Sequence, residues 1–197
     1  MAEWVFPFPD AQITGHYGTM SEYRRRNKMQ PHSGTDWRAR AGTSIPAITS
    51  GTVRLIQFSS VLGWVVVQTG WDNLKRKTKY IGYCHLFCDV HKAKCEGPSK
   101  GCKSPSARYR VGQKVKAGEK FGIRIGNSGS ATTGAHLHAT IGSTPKSVFG
   151  PTKSKEDLHK FIQRQREGAK AQQTNKKTPK VVLPIKRCPC CKQPLER

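Results

Sequence analysis

Gly51-Thr52-Val53-Arg54-Leu55-Ile56-Gln57, followed shortly by Gly63-Trp64-Val65-Val66-Val67-Gln68, is the stretch that decides the fold. Both runs are rich in β-branched and aromatic residues, which pack well on a pleated surface and lose side-chain freedom in a helix. They read as two strands joined by a short turn, a β-hairpin. Working outward, Lys79-Tyr80-Ile81-Gly82-Tyr83-Cys84-His85-Leu86 is a further strand candidate, and Phe121-Gly122-Ile123-Arg124-Ile125 another. Between them Val111 to Glu119 has the spacing of a tight turn, with a glycine where positive φ is needed. Asn127-Ser128-Gly129-Ser130 and Thr133-Gly134 form the turn that delivers His136-Leu137-His138-Ala139-Thr140-Ile141. Residues 1–30, with Pro7, Pro9 and Arg24-Arg25-Arg26, read as a loop-rich entry. The expected fold class is mostly β, an antiparallel sheet domain.

The length, 197 residues, suits one domain of ordinary size with appendages, and the 19 glycines and 12 prolines favour turns over long helices. Ser154-Lys155-Glu156-Asp157 resembles a capping box, and Leu158, Phe161 and Ile162 follow at i, i+3, i+4. The expected organisation is a main domain over 1–150 with an inserted loop at about 87–110. A helical segment follows over 151–168, its helix starting at about 154. Residues 169–187, rich in Lys, Gln and Thr with little to bury, read as a flexible basic linker, and 188–197 as a cysteine-bearing tail.

The net charge of +23 favours polyanionic surfaces, either nucleic acid or an anionic cell envelope. Residues 1–150 carry 22 Lys/Arg against 8 Asp/Glu, so the basic character belongs to the body as well as to the end of the chain. No apolar run approaches the length of a membrane span, and Met1-Ala2-Glu3-Trp4 is unlike a secretory leader; the expectation is synthesis in a cytoplasm.

The chemistry begins at His136 and His138. In a strand, side chains repeat every two residues, so both leave the same face roughly 6.6 Å apart. One can bind a metal while its neighbour faces a substrate. Zinc hydrolases need three protein ligands and one open position, where the metal lowers the pKa of water and polarises a carbonyl. His32, Asp36 and one member of the His136/His138 pair supply that number. A straight strand would hold His32 and Asp36 too far apart, so Gly34 must permit a bend.

Here the sequence resembles the lysostaphin/LytM-type zinc endopeptidases. The matching residues are His32-Ser33-Gly34-Thr35-Asp36; Ala41-Gly42-Thr43-Ser44-Ile45-Pro46-Ala47 running into Ser50-Gly51-Thr52-Val53; Tyr83-Cys84-His85-Leu86; Val111-Gly112-Gln113-Lys114-Val115 with Ala117-Gly118; and Gly126-Asn127-Ser128-Gly129 leading to Gly134-Ala135-His136-Leu137-His138. They follow the family's order and cover about residues 13–142. The resemblance implies the duplicated-hybrid-motif fold, with an active-site groove across the sheet, and cleavage of peptide cross-bridges or stems in bacterial peptidoglycan. It implies one catalytic zinc held by His32, Asp36 and His138, with His85 and His136 as the catalytic pair that orients and deprotonates the attacking water. Imidazoles titrating near neutrality suit that task. A compact catalytic domain with a basic appendage points further to a bacteriophage endolysin or a virion-associated lysin, acting on the wall after release.

The chain departs from the family after His85, where about twenty extra residues carry Cys88, His91, Cys95 and Cys102. Their spacing allows a second, structural zinc; a Cys95–Cys102 disulfide or unpaired thiols are the alternatives. Cys188-Pro189-Cys190-Cys191 offers half a site through Cys188 and Cys191. Cys84 should point to the strand face opposite His85, as a buried structural thiol. Tyr17, Tyr23, Trp37 and Trp64 line a groove or pack in the core. His16 reads as structural or solvated, and His159 as a surface residue. The rival function is a basic zinc-containing protein that docks on nucleic acid or anionic wall polymer without cleaving it.

Overall fold

The computed structural model describes residues 2–8, 12–102, 105–106 and 108–177. Ten strands and two helices follow in order: β1 (Ile13–Gly15), α1 (Glu22–Arg26), β2 (Thr35–Arg38), β3 (Ser44–Pro46), β4 (Gly51–Ser59), β5 (Gly63–Asp72), β6 (Lys77–Leu86), β7 (Lys114–Val115), β8 (Lys120–Arg124), β9 (His136–Gly142), β10 (Lys155–Glu156) and α2 (Leu158–Lys177). The main sheet runs β1-β2-β9-β6-β5-β4-β7, with β10 added to the far end of β9; β3 and β8 form a second, two-stranded sheet. Every pairing is antiparallel. The hairpin read from Gly51 to Gln68 is β4 and β5, each longer than its apolar run.

One face of the main sheet is the core. Trp37, Tyr83, Ile81, Leu137 and Ile141 point into it and meet Ile45 of β3 with Phe121 and Ile123 of β8. The opposite face carries the polar partners of this alternation, Asp36, His136 and His138, so one period-2 pattern both builds the core and presents the site. Trp37 and Trp64 are buried, which places them in packing rather than in a groove. The Tyr17 hydroxyl donates to the carbonyls of Thr152 and Lys155, whereas Tyr23 is exposed on α1.

The C-terminal helix differs from expectation at both ends. Ser154 is not its cap: Lys155 and Glu156 pair with β9, and Asp157 takes the capping role, accepting from the Lys160 N–H at 3.1 Å. At the other end α2 continues through residues 169–177, the first half of the expected linker. Ala, Lys and Gln there have high helix propensity and extend a helix already nucleated by its buried stripe. Leu158, Phe161, Ile162 and Gln165 form that stripe, and Phe161 meets Trp4 edge-on at 4.8 Å. The remainder of the linker and the 188–197 tail lie outside the described residues.

Candidate active site

The site is built on β2, β9 and the end of β6. Register pairs Asp36 directly with His138, and His138 with Cys84, so these three share one sheet face. His32 reaches them from the loop before β2, turning at Gly34 as expected. The bend is half of Gly34's role. A Cβ there would lie 2.5 Å from the Ala139 carbonyl oxygen and 2.7 Å from the His138 ring, so glycine also permits the close approach.

His32 Nδ1 lies 3.0 Å from the His16 carbonyl. A carbonyl only accepts, so Nδ1 carries the proton and Nε2 presents its lone pair. That nitrogen is 3.1 Å from His138 Nδ1 and 3.1 Å from Asp36 Oδ2, and His138 Nδ1 is 2.8 Å from Asp36 Oδ1. Burial pushes the Asp36 carboxyl up, but the hydrogen bond from His138, together with the adjacent His32 imidazole, outweighs it and holds it well below the usual carboxylate range. Burial pushes His138 down against the opposing bond to Asp36. Two acceptors, His32 Nε2 and the Asp36 carboxylate, therefore converge on His138 Nδ1. Replacing that one shared proton by a cation gives two imidazoles and a carboxylate, the donor set of catalytic zinc, with ligand atoms within 4.8 Å of one another.

His85 and His136 stand beside this set with ring centroids 4.8 Å apart, and His85 lies 5.7 Å from His138. His85 donates Nδ1–H to the Ser128 carbonyl at 2.8 Å, and His136 donates Nδ1–H to the Gly134 carbonyl at 2.8 Å. Both Nε2 atoms are thereby left as lone-pair nitrogens. His136 Nε2 stands 3.7 Å from Asp36 Oδ1. Burial, reinforced by the neighbouring His138 and His136, pushes His85 down to about 3, so it is neutral across the physiological range.

Strand alternation puts Cys84 and His85 on opposite faces, and the structure overrides it. Between the Trp64–Leu86 and Val66–Tyr83 pairs the β5–β6 register shifts, so Cys84 and His85 together face Val65. This bulge, with His85 at φ 57°, turns the imidazole onto the site face that Cys84 also shares. Cys84 is the buried thiol expected, packed with Val65, Val67 and Val148, and burial pushes it up to about 12.

Residue reading missed the atoms that set the tautomers, the carbonyls of His16, Ser128 and Gly134. His16 acts through its backbone, while its ring stands 6.4 Å from that of His159. It also missed Thr132, whose hydroxyl oxygen is 3.3 Å from His136 Nδ1, and Lys155, which donates to Ser33 beside His32. Asp36, His136, Arg38 and Arg40 line an open cleft of about 700 Å³. Cys88, His91, Cys95 and Cys102 form a second cluster in the insert; Cys188 and Cys191 lie outside the described residues.

A sheet that offers two imidazoles and a carboxylate to one ion, with two further imidazoles alongside, has the plan of a metallopeptidase domain. No protein-family model matches the chain. Solved structures similar to it include a catalytic domain of the prophage-encoded protein EnpA from Enterococcus faecalis, 26% identical over 77% of this chain and 92% of that one, TM-score 0.51. LytU is 27% identical over 82% of this chain and 91% of that one, TM-score 0.53. The catalytic domain of the antimicrobial peptidase lysostaphin from Staphylococcus simulans shares the fold at 21% identity, over 76% of this chain and 89% of that one, TM-score 0.51. The chain has a fold of the lysostaphin/LytM type, and that fold carries the donor set His32, Asp36 and His138.

Proposed function

We propose that the protein is a zinc-dependent endopeptidase that hydrolyses peptide bonds of bacterial peptidoglycan and serves bacteriophage-mediated lysis of the host cell. The observation that carries this reading is the convergence of His32 Nε2, Asp36 and His138 Nδ1 on one point, with His85 and His136 at its side. The prophage-encoded likeness favours the phage setting, either as an endolysin or on the virion. Synthesis in the host cytoplasm and action on the wall after release follow from that setting. The basic surface fits anionic wall polymers, which carry the same charge that nucleic acid would offer.

In this mechanism His32, Asp36 and His138 would hold the ion. Zinc so held would supply a Lewis acid to polarise the scissile carbonyl and acidify the attacking water. His136, half-buried at the cleft, takes the water's proton on Nε2, because its Nδ1–H is committed to Gly134. His85, fixed through Ser128, presents the second neutral Nε2, which accepts a hydrogen bond from the water and holds it in line. Protonated His136 then returns the proton to the leaving amine, leaving both imidazoles neutral for the next cycle.

The experiment is release of new amino termini from purified peptidoglycan, with and without chelator, by wild type, His32→Ala and His136→Ala. Zinc-dependent release from wild type is expected, abolished in His32→Ala and lowered by about 10²–10⁴-fold in His136→Ala. Binding without release by the zinc-loaded protein would instead make the chain a docking protein, the reading its net charge of +23 favours.

A further inference from the structure

The insert between β6 and β7 holds chemistry that peptide hydrolysis does not use. Cys88, Cys95 and Cys102 are buried and His91 half-buried, in a loop with few large apolar residues of its own. One nitrogen and three sulfurs from these four side chains lie within 4.8 Å of one another. A tetrahedral zinc with Zn–S near 2.3 Å and Zn–N near 2.0–2.1 Å spaces its ligand atoms by about 3.5–3.8 Å. His91 Nδ1 and Cys95 Sγ stand at 3.8 Å.

Two N–H groups are aimed at the sulfurs. The His91 backbone N–H donates to Cys88 Sγ at 3.0 Å, and the indole N–H of Trp64 donates to Cys95 Sγ at 3.2 Å. Such N–H···S bonds orient thiolate ligands and spread their charge. The backbone curls around them. Cys88 N–H donates to the Lys92 carbonyl with Lys92 at φ 58°, and Cys102 N–H donates to the Gly97 carbonyl with Gly97 at φ 86°. Three thiolates and one dication leave a net charge of −1, which the exposed Lys94 and Lys100 of the same loop offset. Among the described residues no disulfide joins these cysteines. A Cys95–Cys102 bridge would leave Cys88 and His91 converging on sulfur with nothing to ligate.

We propose that Cys88, His91, Cys95 and Cys102 hold a structural zinc ion that fixes the insert as one wall of the groove beside the active site. Lys94 and Glu96 face Asn127, Ser130 and Thr132 across a cleft of about 530 Å³. The Ala93 carbonyl accepts the Asn127 N–H at 2.8 Å, and the next residue, Ser128, orients His85. The zinc site is thus a few bonds from a catalytic imidazole while contributing no ligand to the catalytic ion.

The test is metal content of the full chain after exhaustive dialysis, with cobalt substitution as the second readout. To remove the tail thiols, both are measured on the chain carrying Cys188→Ser, Cys190→Ser and Cys191→Ser. Two equivalents of zinc are expected, one remaining after His32→Ala and one after Cys95→Ser with Cys102→Ser. The cobalt form should show intense sulfur-to-metal charge-transfer absorption that survives His32→Ala and vanishes with the double cysteine change. His91→Cys should keep both equivalents, since a fourth thiolate replaces the imidazole. A single equivalent that disappears with His32→Ala, or a cobalt form without thiolate bands, would overturn the site. Should the double variant not fold, alkylation of the otherwise unsubstituted insert decides: zinc must protect Cys88, Cys95 and Cys102, and equal labelling with and without zinc refutes the proposal. Failure of peptide hydrolysis leaves each of these readouts unaffected, so the two proposals fall separately.

Discussion

His85 occupies a backbone position that is costly to build. A non-glycine side chain at φ 57° is strained relative to β backbone, and the bulge holds it there through the Ser128 carbonyl and the Leu62 carbonyl that accepts its N–H. His85→Ala and His136→Ala should each lower turnover by about 10²–10⁴-fold while leaving catalytic zinc in place. Asp36→Ala should lose both metal and activity, and parallel assays of zinc content and amino-terminus release separate the two cases. Gly34→Ala should weaken zinc binding, because its methyl group meets the Ala139 carbonyl and the His138 ring; competition with a chromogenic chelator measures it. Acid should destabilise the metal-free protein for two reasons of the same sign. His85, neutral when folded down to about 3, charges in the unfolded chain as pH falls below about 6.5, and Asp36 loses its bonded carboxylate advantage below about 4. Denaturant midpoints should therefore fall steadily from pH 7 to pH 4, and a flat profile would contradict this. At this scale the histidines and Asp36 were legible because their identities and spacing are in the sequence. The carbonyls that set their tautomers were not, since a backbone oxygen belongs to no residue type.

Elements show where pattern succeeds and where tertiary context intervenes. β4, β5, β6 and β9 were readable because branched and aromatic residues mark a pleated, half-buried surface. The bulge in β6 was hidden, because it exists only in the register between two strands. α2 was half legible: its buried stripe was plain, but the capping signal at Ser154 lost to the pairing of Lys155 and Glu156 with β9. The buried Lys79 forms an ion pair with Glu156 that secures this last strand. Removing the true cap by Asp157→Ala should cost about 1 kcal/mol. Phe161→Ala, which empties the contact with Trp4, should cost about 3–5 kcal/mol. Thermal unfolding of the two variants tests the ranking.

Over the whole molecule, one sheet separates structure from chemistry, its core face closed by β3, β8 and α2 and its other face left for the site. A net charge of +23 spread over the body and the C-terminal part of the chain makes long-range attraction to wall polymers salt-sensitive, so sedimentation with cell walls should drop steeply between low and physiological ionic strength. Binding indifferent to salt would place recognition in the groove alone. The three convergent ligands should make this chain a zinc-dependent hydrolase. The direct measurement is to add zinc stepwise to chelator-stripped protein and follow new amino termini from peptidoglycan in wild type and in His32→Ala. Activity should rise with zinc in wild type and stay absent at any zinc level in the variant; equal release by both, or none from zinc-loaded wild type, would contradict a zinc-dependent hydrolase.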